Sequence, residues 1–266
     1  MAPRSFWKGY LKLSLVNCAV SMVPATTESE KVRFHTLNRA TENRVVSRYV
    51  DSVTGREVDE DDEVKGFERD EDEYVMLEDD EIDAVALEST RTIDIETFVP
   101  KDSIEWIWYD TPHYLTPSDK VGEETFAVIR EAMATKGVFG IARLVMYRRE
   151  RAVMLQPRDN GIVLWTLRYG DEVRDPTEYF KAIGPKKSQS DYMQLMEKFI
   201  EARSTPWDPS IVDDPVQDRI LDMIAAKKKG KPKTKAAPKA ESLGPSNVIN
   251  IMDALKKSLD ASKKKR

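Results

Sequence analysis

The chain has 266 residues, 40% of them apolar and 33% charged, with a formal net charge of -5. That length supports one sizeable core or two smaller ones, and the low apolar share against the high charged share points to segments left out of any core. A single cysteine, Cys18, excludes an internal disulfide and a cysteine-rich zinc site and points to an intracellular setting. No apolar run approaches the ~20 residues needed to cross a bilayer as a helix.

The net charge hides a segregation. Residues 227–266 hold 13 Lys or Arg against Glu241, Asp253 and Asp260, a balance of +10, which leaves -15 on residues 1–226. Within that body, residues 57–83 hold 16 acids against Lys65 and Arg69, a local balance of -14. With charge separated in this way, an acidic total is compatible with binding nucleic acid.

In chain order, residues 6–23 alternate, with Trp7, Gly9, Leu11, Leu13 and Leu15 on one face and Lys8, Tyr10, Lys12 and Ser14 on the other. This predicts a strand region closed by Pro24 rather than a secretory signal, since Ser14, Asn17 and Ser21 interrupt the apolar stretch. Residues 31–51 read as extended, with a turn at Thr54-Gly55. The acidic stretch encloses two short strand candidates, Val64–Phe67 and Tyr74–Leu77. TRTIDIETFVP (90–100) and SIEWIWYD (103–110) alternate, and Pro112 and Pro117 bracket the next four residues.

A helix is expected over 123–136: two glutamates in the first turn, an apolar face of Phe126, Ile129, Ala132 and Met133, and Lys136-Gly137 as its end. Three strands follow, GIARLVMY, AVMLQP and IVLWTLRY, joined by turns at RRER and RDNG. Such spacing suggests an antiparallel sheet or barrel. Tyr192, Leu195, Met196 and Phe199 form a helical stripe, TPWDP interrupts, and Val216, Ile220 and Ile224 form another behind Pro215. The run KKKGKPKTKAAPKAESLG (227–244) has the composition of a disordered segment. Beyond it, Val248, Met252, Leu255 and Leu259 step by four, three and four, one stripe on a helix too short to stand alone in water. That stripe wants a partner surface, either on another protein or on its own domain.

Catalytic chemistry is hard to assemble. His35 and His113 fall in strand or turn context, Cys18 reads as a small buried hydrophobe, and no glycine-rich phosphate loop or His/Cys ligand spacing occurs. A two-metal nuclease would need a few carboxylates converging in a dry pocket, whereas EVDEDDEV and ERDEDE read as solvated loop charges. The arginines are better arranged for binding. Arg33, Arg39, Arg44, Arg48 and Arg56 recur through 33–56, and Arg143, Arg148, Arg149, Arg151 and Arg158 cluster on the meander. Spaced arginines without a base-reading helix suit phosphate contacts, which hold a duplex without reading its sequence.

FWKGYLKLSLVNCAVSMVPAT followed by VRFHTLNR resembles the opening of bacterial Ku, the end-binding family of non-homologous end joining. The resemblance continues through EVKGFERDEDEYVMLEDDEID, TRTIDIETFVP, YDTPHYLTP, GIARLVMYRRERAVMLQPRDNGIVLWTLRYGDEVRDP and NVINIMDALKKSLDA. It implies a mixed α+β fold: an antiparallel β-barrel with an inserted bridging arm that closes a ring in the homodimer, then C-terminal helices and a disordered basic tail. The expected divisions are a core at 1–185 (barrel 5–35 and 90–175, arm 36–89), a helical extension at 186–226, a linker at 227–245, and a ligase-recruiting helix with a basic end at 246–266.

The implied protein is non-catalytic and cytoplasmic, at the bacterial nucleoid. It would bind double-stranded DNA ends and recruit the ATP-dependent end-joining ligase, ligase D. Candidate DNA contacts are Lys8, Lys12, Arg33, Arg39, Arg44, Arg48, Arg56, Arg143, Arg148 and Arg149, and candidate ligase contacts are Val248, Met252, Leu255 and Leu259. Some bacterial members carry a Cys-x-x-Cys zinc pair where this sequence has Asp51-Ser52-Val53-Thr54, so no zinc and no other cofactor are expected. The von Willebrand-like domain of eukaryotic members is not expected either. A nucleoid-associated architectural protein, binding mainly through its Lys-rich tail, is the alternative.

Overall fold

Alternation at the start of the chain produces two strands: β1 (Trp7–Leu13) and β2 (Val16–Pro24) form a hairpin in which Leu13 faces Val16. The expected single strand region is broken at Ser14-Leu15, where Ser14 takes φ 56 and Leu15 is 98% exposed. Leu15 therefore leaves the inward face, while Leu11 is fully buried and Trp7 and Leu13 pack against the core. The computed structural model describes residues 6–71, 73–85, 91–184 and 190–229.

Two further strands, β3 (Lys65–Asp70) and β4 (Glu73–Leu77), pair only with each other and lead into a short helix, α1 (Asp79–Ala84). Next come β5 (Thr92–Pro100) and β6 (Tyr109–Pro117). Between them the alternating Trp106-Ile107-Trp108 forms a 3-10 turn rather than the expected strand. Helix α2 (Lys120–Lys136) precedes the meander of β7 (Val138–Met146), β8 (Arg149–Arg158) and β9 (Gly161–Leu167).

The barrel closes in the order β1-β2-β6-β9-β8-β7-β5. Each step from β1 round to β5 is antiparallel. Six reversals return β5 to the direction of β1, so the closing seam has to be parallel. It pairs Tyr10 with Thr92, Leu11 with Ile93 and Lys12 with Asp94. The antiparallel barrel expected from the sequence is thus borne out, apart from this one seam.

Inward residues from every strand fill the barrel, among them Val20, Met22, Ile93, Leu115, Leu144, Leu155 and Leu164, all at most 1% exposed. Burying one such side chain contributes roughly 1.5–3 kcal/mol. Helix α2 starts three residues before the expected point because Asp119 caps it, its Oδ1 accepting from the Gly122 N–H at 2.6 Å. Gly137 at φ 64 ends it as expected. Its buried stripe is Gly122, Phe126, Ile129 and Met133; Ala132, expected inside, is exposed.

The parallel seam depends on Gly9. A Cβ there would lie 2.1 Å from the Arg91 carbonyl oxygen and 2.4 Å from the Trp7 ring. That carbonyl also accepts from the Tyr10 N–H at 2.8 Å, so it cannot retreat without loosening the seam. Gly9→Ala should lower stability by about 1–3 kcal/mol, the usual penalty for overpacking. Denaturant midpoints check this against Gly170→Ala, where the added carbon meets nothing within 4 Å. An equal loss in both variants would remove the steric argument.

Two compact units divide the chain: residues up to 30 with 35–175, and residues 31–34 with 176 onward. The second contains α3 (Pro176–Phe180), α4 (Ser190–Arg203) and α5 (Pro215–Lys228). The two predicted stripes fall on α4 and α5. Pro215 opens α5 behind Asp214, whose side chain accepts from the Val216 and Gln217 N–H groups.

Candidate nucleic-acid interface

The strand pairings place both roots of the long insertion at one end of the barrel. Strand β2 runs back toward the start of β1, with Met22 opposite Trp7, and the chain returns beside Tyr10 as β5 begins. The β7–β8 turn lies at the same end, because Met146 and Arg149 stand beyond the Asp94–Arg143 pairing. The expected RRER turn is in fact Tyr147-Arg148, both at positive φ (52 and 62), and Arg149–Arg151 belong to β8.

The described part of the insertion has no core of its own. Among the described residues of 31–85 none is buried, and Val46, Tyr49, Phe67 and Met76 are each about 70% exposed or more. Within the stretch expected to be extended a small turn intervenes, which Leu37 bridges to Arg44, while the turn expected at Thr54-Gly55 forms with Val50 bridging Glu57 across it. At the second, Asp51 Oδ1 accepts from the Val53 and Thr54 N–H groups at 2.9 and 2.6 Å, and Gly55 supplies φ 68. These bonds hold the Asp51 carboxyl below its ordinary range. An Asx turn therefore closes the chain at Asp51-Ser52-Val53-Thr54.

The ten candidate DNA contacts separate into three sets. On the barrel wall, Lys12 pairs with Asp94 at 2.7 Å, and Arg143 lies 3.5 Å from Glu96 and 3.8 Å from Glu150. Two cations against three carboxylates give that row no net positive field. Arg48 pairs with Glu57 at 2.7 Å, and Arg148 pairs with Asp83 at the end of α1. Lys8, Arg33, Arg39, Arg44, Arg56 and Arg149 make no ion pair among the described residues. Arg33 belongs to the second compact unit. Val248, Met252, Leu255 and Leu259 lie outside the described residues.

Neither titratable group of the core is placed for catalysis. Cys18 is 3% exposed, and burial first, then the Asp119 carboxylate, pushes its thiol up, away from the nucleophilic thiolate. His113 is 4% exposed, stacks on Phe6 at 6.1 Å, and its Nδ1 has no hydrogen-bond partner among the described residues. Burial holds its pKa below the ordinary value, with the Thr111 main chain and the Asp110 charge pulling the other way. His35, in contrast, is exposed.

The unfolded chain therefore binds this proton before the folded one does. The stability that a neutral His113 contributes is fully present above about pH 6.5, the unperturbed value, and is lost as pH falls below it toward the depressed folded value. His113→Phe should flatten the dependence of the urea midpoint on pH between about 7 and about 5.5. An unchanged slope would assign that dependence to other groups.

The fold and the arm together define a β-barrel protein carrying a long, uncovered, arginine-bearing insertion. The family model described as the Ku70/Ku80 beta-barrel domain matches residues 12–196. The chain is 64% identical to the non-homologous end joining protein Ku of Methylocella silvestris, over 100% of this chain and 98% of that one. It is 55% identical to the protein of the same name from Allorhizobium ampelinum (100% and 99%) and 34% identical to that from Archaeoglobus fulgidus (98% and 100%). The chain belongs to the Ku family.

Proposed function

We propose that this protein is a non-catalytic homodimeric ring that binds double-stranded DNA ends without sequence preference, protects them, and recruits and stimulates the end-joining ligase in double-strand break repair. The observation that carries the reading is the arm: a long insertion none of whose described residues is buried, bearing arginines without ion-pair partners among those residues. An isolated two-stranded hairpin such as β3–β4 is marginal in water, so its exposed Phe67, Tyr74 and Met76 need a second surface. A second copy of the chain supplies one, and two arms can then enclose a duplex. The relatives are named as non-homologous end joining proteins, which supports the same reading. Within it, Lys8, Arg33, Arg39, Arg44, Arg56 and Arg149 are the cations free to meet phosphate.

Enclosure separates this function from general DNA coating, because a closed ring threads onto an end but not onto a covalently closed circle. Light scattering should give a dimer of about twice the 30.4 kDa chain mass at micromolar concentration. Linear duplex should compete far better than closed circles of equal length. A monomer, or equal competition by circles, would overturn the ring.

A further inference from the structure

We propose that the acidic limb of the arm is a built-in competitor for DNA, whose carboxylates occupy two interface arginines until a duplex displaces them. This rests on the DNA-binding reading above and adds to it a control within the chain. The limb, residues 57–83, carries 16 acids, yet the pairs it makes with the candidate contacts are particular. Glu57, at its first position, holds Arg48 at 2.7 Å, and Asp83, at its last, holds Arg148.

The second pair is reinforced by its setting. Asp83 sits in the last turn of α1, where a cation is favoured by the partial negative charge of the helix end. Arg148 is also near enough to Asp79 to help hold that carboxyl low, behind the larger effect of Lys65 at 2.5 Å. Arg148 itself is presented by a two-residue turn whose residues both have positive φ, a conformation that bulky side chains rarely adopt. The hairpin tip thus holds its arginine out from the barrel end where the arm is rooted, and the limb's last helix meets it there.

Both pairs are open to solvent, with side-chain exposures of 70% and 53% for Arg48 and Glu57, and 66% and 51% for Arg148 and Asp83. An exposed pair of this kind shifts an equilibrium by about fivefold at most. A row of duplex phosphates, which also releases counterions, outcompetes it. An isolated anion or a short disordered nucleic acid does so less well. The pairs would therefore weaken binding to poor targets while leaving a duplex end able to enter.

The test uses the full chain with Glu57→Gln and Asp83→Asn, titrated with linear duplex at fixed ionic strength. Its control is Asp61→Asn with Asp62→Asn, which removes the same two charges from the same limb but touches no arginine. The first variant should bind about tenfold tighter and the control less than about twofold tighter. The gain should vanish when Arg48→Ala and Arg148→Ala are added, because the interaction lies in those pairs. Equal tightening in both variants, no tightening in the first, or a gain that survives loss of the arginines would each overturn the proposal. Light scattering on every variant separates a changed dimer from a changed affinity. Should the unaltered protein show no preference for ends over circles, the ring reading fails, while the duplex titrations still decide whether the limb competes.

Discussion

Replacing Arg39, Arg44 and Arg56 by alanine should weaken binding to linear duplex, by about a thousandfold more at about 50 mM salt than at about 200 mM, and leave the fold intact. These three arginines flank or follow the turns of the arm, carry no ion pair among the described residues, and are themselves exposed. Their removal therefore costs little in folding. In a dimer the change deletes six cations. If each meets one phosphate, the salt dependence should flatten by about 0.9 for every phosphate no longer neutralised, and six such phosphates correspond to a factor of about 10³ across the range from about 50 to 200 mM salt. The weakening should be the same for duplexes of any sequence, since phosphate contacts carry no base information. Lys12→Ala with Arg143→Ala provides the contrast: those cations are neutralised by Asp94, Glu96 and Glu150, so the salt slope should hardly change. A triple variant that keeps the original salt slope would remove the arm from the interface.

Local pattern carried the elements whose causes are local. Helix α2 announced itself by an apolar step of three and four and by Gly137, and α5 by Pro215 behind an aspartate. The meander strands were legible as short apolar runs at regular spacing bounded by polar turns, although β8 and β9 each bury three consecutive residues rather than alternating. Where the structure departs from the pattern, the deciding interaction is either carried by an unexpected residue or lies far away in the chain. Ser14, Tyr147 and Arg148 turn the chain at positive φ without glycine or asparagine to mark the place. Trp106-Ile107-Trp108 alternates like a strand, but its first helical turn closes locally, with the Trp108 N–H donating to the Glu105 carbonyl at 3.1 Å.

The parallel seam joins Lys12 to Asp94, 82 positions further on, and follows only from the strand count round the closed barrel. The same limit applied to the site. That arginines recur through the arm was visible; that Glu57 and Asp83 cover two of the candidate cations was not, because Arg148 and Asp83 are 65 residues apart. A charge sum over a window cannot say which carboxylate faces which cation.

Leu255→Asp with Leu259→Asp should abolish stimulation of the end-joining ligase while binding to DNA ends stays near normal. Val248, Met252, Leu255 and Leu259 have the spacing by which a helix docked in a groove presents its anchors. They follow a Lys/Pro/Ala linker that supplies no apolar surface, so the stripe's partner is sought on another protein. Burying one such side chain contributes roughly 1.5–3 kcal/mol, and removing two would weaken docking more than about a hundredfold. Lys256 and Lys257, screened by solvent, should be worth under about 1 kcal/mol each. Changing both to alanine should reduce stimulation only modestly, and more at low salt than at high. A ligation assay with purified ligase, run beside a DNA titration of the same variants, separates docking from end binding. If the two aspartates leave ligation untouched, the stripe is not the docking face and folds back on its own chain instead. If they abolish end binding as well, the terminal segment belongs to the DNA interface and the division between ring and recruiting tail is wrong.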